Sequence, residues 1–175
     1  MIMEILLSFF YILKILVIVA AIAFLIPPLV RGAPFLPSHK SAVERIIELA
    51  PPVAGQKAAD IGSGEGRIVI ALARAGAQAH GYEINPFLVL YSRWRIRMAG
   101  LRGKAFIHWA SLWNVNYQEY DIVTVFGYTS MMLKLEKKLQ EELKPGARVV
   151  SCIFPFPNWK QLDNRGRVFL YTKES

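Results

Sequence analysis

The sequence predicts an α/β protein: a mostly parallel, right-handed sheet with helices on both faces, preceded by one apolar helix. Three observations predict this architecture. Short apolar runs alternate with amphipathic stretches of helical length from residue 58 onward, a glycine-rich turn follows the first run, and the first thirty residues are almost free of charge. Alternation of this kind favours a parallel sheet, because each helix carries the chain back across one face of the sheet.

The composition leaves room for one domain and an appendage. Of the 175 residues, 54% are hydrophobic, and the formal net charge is +8. This charge lies entirely after residue 30, because Glu4 and Lys14 cancel in the first thirty residues. Cys152 is the single cysteine and the histidines are scattered, so we expect neither a disulfide framework nor a metal site. A basic body is typical of proteins that face an anionic surface, such as membrane headgroups, nucleic acid or an acidic protein.

Residues 5–26 are predicted to form a transmembrane helix. The stretch is apolar apart from Ser8 and Lys14. It would rise ~33 Å, enough for the hydrocarbon core. Lys14 opposes insertion by ~2.5–3.5 kcal/mol, whereas the strongly apolar residues favour it by about 5–10 kcal/mol. Pro27-Pro28 is expected to end the helix, and the cations after it predict a body in the cytoplasm or an organellar matrix. A cleaved signal peptide is the alternative, disfavoured because no Lys or Arg precedes the apolar run.

Three segments are expected: an anchor over 1–30, a linker and capping helix over 31–57, and the α/β domain over 58–175. The linker holds the stiff run Pro34-Phe35-Leu36-Pro37-Ser38. Ser41 and Glu44 form a capping-box pattern for the helix that follows, which Pro51-Pro52 closes.

Strands and helices then alternate. One strand ends at Asp60, and further strands are predicted over 78–82, 104–109, 121–126, 147–154 and 168–172. Helices are predicted over 68–75, from Pro86 onward, and over 131–143. The helix that Pro86 opens is expected to pack an apolar face inward, made of Leu88, Leu90, Tyr91, Trp94 and Met98.

Several side chains beside this helix have ordinary interpretations. Trp94, Trp109 and Trp113 are expected in the core, although Trp113 follows a strand end and is also a candidate on the cofactor side. The basic run is interpreted as a solvated face, with attraction to anionic headgroups as a hypothesis. Its members are Arg93, Arg95, Arg97, Arg102 and Lys104.

The turn after the first strand contains the candidate ligand-binding residues. Asp60 ends the strand, and Gly62, Gly64 and Gly66 follow before a helix begins. Such a turn lets a ligand approach the backbone, and the helix N-terminus adds free N–H groups. Glu83 ends the next strand about 20 residues later, where an acid can bind a ribose diol. An acid that suits an ammonium group together with one that suits a ribose predicts S-adenosylmethionine (SAM). A nicotinamide cofactor or a purely structural turn is the alternative.

Further motifs carry a family resemblance. They are the linker motif at 34–38, Asp60-Ile61-Gly62-Ser63-Gly64-Glu65-Gly66-Arg67, Gly81-Tyr82-Glu83-Ile84-Asn85-Pro86, Leu112-Trp113, and Phe154-Pro155-Phe156-Pro157 with Trp159. With these motifs the chain resembles a compact, Rossmann-like class I SAM-dependent methyltransferase. More narrowly, it is similar to the membrane-anchored lysine methyltransferases that modify the c subunit of ATP synthase and the adenine nucleotide translocase.

The resemblance implies cofactor contacts at named positions. The methionine end of SAM would lie against Asp60, Gly62, Ser63, Gly64 and Gly66. The ribose would lie on Glu83, with Asn85 supporting that loop, and Ser111, Leu112 and Trp113 would lie on the adenine side. Two positions depart from the family. Ser111 stands where the family usually has an acid, and Tyr128-Thr129-Ser130 stands where it tends to have Ala-Pro-Ser.

The resemblance further implies a membrane-bound protein-lysine N-methyltransferase. A lipid or quinone methyltransferase and a catalytically silent SAM-binding membrane protein are the alternatives. Ser38 and Tyr128 are candidates for assisting loss of the lysine proton, Glu83 could act only indirectly, and no general base is assigned. Nucleic acid is not expected as a partner, because no Asp/Asn-Pro-Pro-Phe/Tyr signature follows Phe126.

Overall fold

The structure is a computed structural model that describes the backbone of residues 2–31 and 40–174 and the side chains of 3–4, 6–19 and 41–174. The chain divides into two compact units, Met1–Pro34 and Phe35–Ser175. The predicted linker at 34–38, and Ser38 with it, lies outside the described residues.

The N-terminal unit is one helix, α1, over Ile2–Arg31. The helix continues past Pro27-Pro28, which was predicted to end it. Proline removes one N–H donor but its φ is that of a helix, so a pair close to the C-terminal end interrupts few hydrogen bonds. Within the described part of the chain, no helix has the length and apolar character needed to cross a membrane. The predicted transmembrane helix is therefore not supported.

The second unit contains a seven-stranded sheet in the order β3-β2-β1-β4-β5-β7-β6. The strands are β1 Lys57–Ile61, β2 Gln78–Glu83, β3 Ala105–Trp109, β4 Ile122–Val125, β5 Arg148–Cys152, β6 Asp163–Asn164 and β7 Val168–Thr172. β1 to β5 pair in parallel, whereas β7 runs antiparallel to both of its neighbours. The predicted α/β sheet is confirmed, and the two-residue β6 was not predicted. Strand order reverses between β1 and β4, and at such a point ligands bind outside the carboxyl ends of the strands.

Helices cover both faces of the sheet. They are α2 Lys40–Leu49, α3 Arg67–Arg74, α4 Pro86–Met98 and α5 Thr129–Glu142. One buried cluster joins α2, α3 and α4 to the sheet through Ile46, Leu72 and Ile96, and a second joins α5 to it through Leu135. Between β3 and β4 the chain forms only a 3₁₀ turn, Leu112–Asn114, which makes the domain compact. α2 begins at Lys40, so Ser41 lies in its first turn rather than at the predicted N-cap.

The predicted inward face of α4 is wrong for four of its five residues. The helix buries Val89, Ser92 and Ile96 and exposes Leu90, Tyr91, Trp94 and Met98, whereas Leu88 is half-buried. The physical reason is the close approach of α4 to the glycine turn, where a Cβ placed on Gly66 would lie 3.1 Å from the Ser92 Cβ. A large side chain does not fit in that space, so Ser92 faces the turn, and Val89 and Ile96 are buried on the same side of the helix. Trp109 is likewise exposed rather than part of the core.

Candidate functional site

The glycine turn lies at the carboxyl edge of the sheet and is tied to β2. The N–H groups of Gly62 and Ser63 both donate to the Tyr82 carbonyl, at 2.9 and 3.1 Å. Gly62 has a φ of 73°, and a Cβ built on it meets no atom of the described residues within 4 Å. The turn therefore requires glycine at this position for its backbone, and the described part of the chain leaves space in front of it for a ligand.

Gly66 starts α3 from the other end of the turn. It is the N-cap residue, with a φ of 80°, and no side chain caps the helix there. Because the first N–H groups of a helix lack partners within it, this end of α3 can receive a polar group of a ligand.

Asp60 is the buried acid of the site. It is 2% exposed, and its Oδ1 lies 2.7 Å from the Thr124 hydroxyl on β4, the residue that pairs with it in register. Burial raises the pKa of Asp60 to about 7, the hydrogen bond from Thr124 opposes this rise, and the charge of Glu83 adds to it. A cation brought against Asp60 would favour its ionised form, which suits the ammonium group of an amino acid.

Glu83 connects the turn to the loop after β2. Its Oε2 accepts the N–H of Gly64 at 2.9 Å, and its Oε1 accepts the N–H of Asn85 at 2.8 Å. Asn85 in turn caps α4 by accepting the N–H of Phe87 at 3.0 Å. Each carboxylate oxygen keeps capacity for a further donor, so the buried Glu83 can still accept the hydroxyl groups of a ribose.

The residues predicted for the adenine side follow β3. The Ala110 N–H donates to the Glu83 carbonyl at 3.1 Å, which places this loop beside the end of β2. The Ser111 hydroxyl accepts the Trp113 N–H at 3.4 Å and so caps the 3₁₀ turn weakly. Leu112 and Trp113 are half-buried against the second core cluster, and Lys134 Nζ lies 4.5 Å from the centre of the Trp113 ring.

The two catalytic candidates are not brought together by the described residues. Tyr128 is the half-buried N-cap residue of α5 and follows β4 at the same sheet edge as Asp60. Ser38 lies outside the described residues. The structure therefore places Tyr128 at the carboxyl edge of the sheet and gives no geometry for Ser38.

Sequence reasoning missed three residues of this site. Thr124 is the one polar residue of β4, and its place in an otherwise apolar strand is the only feature of the sequence that could have indicated a role in the site. Gly81 admits the turn, because a Cβ on it would lie 2.7 Å from that of Ser63. Arg95 reaches from α4 to Glu65 in the turn, donating to its side chain and to its carbonyl, each at 2.9 Å.

The Ser63 hydroxyl is buried and finds no hydrogen-bond partner among the described residues, so it is available to a ligand.

These features fit SAM. Asp60 suits its ammonium group, the open turn at Gly62 suits its methionine end, and Glu83 suits its ribose. SAM supplies a methyl group bound to a positively charged sulfur. The seven-stranded sheet and this site define a class I, SAM-dependent methyltransferase domain.

The comparisons with known proteins give the family. Residues 60–163 match the ANTKMT methyltransferase domain, and the chain belongs to that family. A rat lysine N-methyltransferase named for the C subunit of ATP synthase is 48% identical over 126 residues, which cover 72% of this chain and 58% of the relative. A mouse protein named adenine nucleotide translocase lysine N-methyltransferase is 38% identical over 149 residues, covering 82% and 65%.

A solved structure agrees with the fold. It is an RNA methyltransferase from Salinibacter ruber in complex with S-adenosyl-L-homocysteine, with a TM-score of 0.76 and 33% identity, over 79% of this chain and 94% of that one. Among the curated relatives, the chain spans only 51–58% of the length of the rat, mouse and human lysine methyltransferases that are named for the ATP synthase C subunit.

Proposed function

We propose that this protein is a SAM-dependent protein-lysine N-methyltransferase whose acceptor is a membrane protein such as the c subunit of ATP synthase. The observation that carries the proposal is the pair of buried acids, Asp60 and Glu83, on either side of an open glycine turn. The likeness to relatives that are named for lysine methylation supports the acceptor class.

The site would act by positioning. Methyl transfer from a sulfonium needs the acceptor nitrogen in line with the methyl–sulfur bond, at near-attack distance and with water excluded. Asp60 and Glu83 would fix the two ends of SAM, and the loops after β4 and β5 would hold the acceptor at the same sheet edge. The acceptor lysine must lose a proton before it attacks. Desolvation in the site lowers a lysine pKa, and Tyr128 and Ser38 remain candidates for assisting this step.

A membrane location is part of the proposal. In α1, large apolar side chains are exposed over the described residues, among them Leu7 (66%), Phe10 (62%) and Val17 (60%). We propose that this helix holds the protein at a membrane, as a single anchor with the catalytic domain on the cytoplasmic or matrix side. The cations that follow the helix favour that side. Tethering raises the effective concentration of a membrane-embedded acceptor.

A lipid or quinone acceptor is the second candidate, because the exposed apolar surface of α1 would serve such an acceptor equally well. A silent SAM-binding protein is the third, because the neutral Ser111 stands where the family usually has an acid. A lipid or quinone methyltransferase would place the methyl group in the organic-extractable fraction, whereas a silent binder would bind SAM and transfer no methyl group.

The test uses membranes from cells that lack this gene, purified full-length protein and methyl-labelled SAM. After reaction, protein, organic-extractable lipid and RNA are separated and counted. Glu83→Ala is the variant expected to weaken SAM binding, and Asp163→Asn, at an exposed acid on β6, is the matched control. Label on lysine in a small proteolipid, lost only with Glu83→Ala, supports the proposal. Label in lipid or RNA changes the acceptor class, and bound SAM without any label supports a silent binder.

A further inference from the structure

The outward face of α4 carries a continuous stripe of exposed side chains. Leu90, Tyr91, Trp94 and Met98, which we call the α4 stripe, are 64%, 46%, 54% and 68% exposed. Their spacing places them on one side of the helix. The Tyr91 and Trp94 rings stack on each other with centroids 5.8 Å apart. An apolar face of this kind in water is typical of an interaction surface.

A basic rim borders the α4 stripe. The exposed side chains of Arg97, Arg102 and Lys104 make no hydrogen bond or ion pair with the described residues, and no acid occurs from 84 to 118. A groove of about 640 Å³ opens between α4 and β3, and its lining includes Trp94, Arg97, Arg102 and Phe106. Apolar and cationic groups therefore meet on one surface.

The other two arginines of this helix have internal partners. Arg93 donates from Nε and Nη2 to the Ile107 carbonyl, at 3.0 and 2.8 Å, and so fixes α4 to β3. Arg95 is paired with Glu65 of the glycine turn. The basic run therefore divides into residues that bind neighbouring elements, Arg93 and Arg95, and residues whose charge faces solvent.

We propose that the α4 stripe docks on an anionic bilayer surface, with Leu90, Trp94 and Met98 in the interfacial layer and Arg97 and Arg102 against lipid phosphates. Trp and Tyr favour the membrane interface, and each outward cation is attracted by anionic lipid. A second copy of the same face is disfavoured as the occupant, because it would bring cation against cation. The inference rests on the proposed membrane location and not on methyl transfer.

Docking through α4 would also orient the active site. The helix begins directly after the loop that Glu83 and Asn85 hold, and it extends only ~20 Å. Arg95 connects it to the turn that carries the cofactor residues. The cofactor site would then lie within one helix length of the lipid surface, where the exposed lysines of a membrane protein are found.

The test places an acrylodan label at Leu90→Cys in the full chain, reconstituted in phosphatidylcholine vesicles with or without phosphatidylserine. Leu133→Cys, at an exposed leucine on α5, is the matched control, and the native Cys152 is buried. We expect a blue shift at position 90 only with phosphatidylserine, and none at 133. If the emission of the label at position 90 stays that of a water-exposed probe, the proposal is overturned. A blue shift at 90 without lipid overturns it as well, because the protein's own helix or a second copy would then cover the stripe.

Charge variants test the rim. At about fivefold per cation, Arg97→Gln with Arg102→Gln should lower the equilibrium constant for docking about 25-fold. Lys137→Gln with Lys160→Gln removes the same charge from exposed positions elsewhere and should have little effect. An equal decrease of the docking constant in the two double variants would overturn the proposal that Arg97 and Arg102 contact the lipid. Methyl transfer is measured on the same vesicles, so a docking failure with label in the acceptor is distinct from a failure of the proposed activity.

Discussion

The Thr124 hydroxyl oxygen lies 2.7 Å from Oδ1 of Asp60, across the junction of β4 and β1. The same hydroxyl is 3.3 Å from the Ala59 carbonyl, so its single proton has two acceptors. Burial raises the pKa of Asp60 to about 7, and Thr124 holds it below the value that burial alone would give. The affinity of Asp60 for a cationic ligand should therefore depend on Thr124, which is fully buried.

Binding of SAM should depend on pH through this pair. As pH rises through about 7, Asp60 ionises and the affinity should increase. Above ~8 the ammonium of SAM loses its proton and the affinity should fall. Thr124→Val should move the acidic limb of this profile to higher pH and weaken binding several-fold at neutral pH, whereas Asp60→Asn should remove the limb. Calorimetric titration across this range measures both. An unchanged limb in Thr124→Val would contradict the role of the hydroxyl.

The same pKa shift predicts how the free protein's stability varies with pH. The folded protein binds more protons than the unfolded chain between the ordinary pKa of 3.8 and about 7, so the free energy of unfolding should fall as pH rises through that window. The full shift corresponds to about 4 kcal/mol. Asp60→Asn should flatten this dependence. Urea denaturation across the window measures it, and an equal slope in the variant would assign the effect to another group.

Much of the fold was predictable because the buried strands are short apolar runs and the helices between them have the length of a crossover. The glycine turn marked the first strand without knowledge of the structure. The pairing of Asp60 with Thr124 was not predictable, since the register between β1 and β4 depends on packing of the whole sheet. β6 has two exposed residues and no apolar pattern. The inward face of α4 was wrong because space at Gly66 and Ser92, rather than side-chain hydrophobicity, sets the orientation of that helix.

Glu83→Gln should weaken SAM binding more than it changes the turnover of bound enzyme. The two carboxylate oxygens accept the N–H groups of Gly64 and Asn85, and an amide can accept only one of them. Loss of a charge-assisted contact to the ribose corresponds to about 10–100-fold in affinity. Steady-state kinetics should show a higher KM for SAM with a nearly unchanged kcat, and Asp163→Asn should show neither change. A large fall in kcat at saturating SAM would assign Glu83 a role in the chemical step.

Ser111→Asp should strengthen SAM binding. The serine hydroxyl is only a weak cap of the 3₁₀ turn, because its contact with the Trp113 N–H is 3.4 Å long. A carboxylate would cap that turn better and would accept the adenine amino group through a charge-assisted bond. We expect a several-fold lower Kd for SAM and a smaller change for methylthioribose, which lacks adenine. Equal changes for both ligands would place Ser111 away from the adenine side.

The Ile153→Gly variant should be more stable than the Ile153→Ala variant. It follows β5, just before Phe154-Pro155, and its φ of 72° is in the left-handed region that a β-branched residue rarely adopts. Its N–H donates to the Arg167 carbonyl at 2.7 Å, and the Ser151 hydroxyl donates to the Phe154 carbonyl, so the surrounding contacts maintain this conformation.

A left-handed backbone conformation costs a residue with a Cβ about 1–2 kcal/mol. In a regular helix or strand, by contrast, a protein with glycine is less stable than the same protein with alanine by roughly 0.5–1 kcal/mol. Chemical denaturation of Ile153→Gly and Ile153→Ala compares two variants that differ by one methyl group, so the sign of their difference reports mainly the backbone conformation. Greater stability of the alanine variant would contradict this prediction and would mean that the chain after β5 relaxes to an ordinary φ.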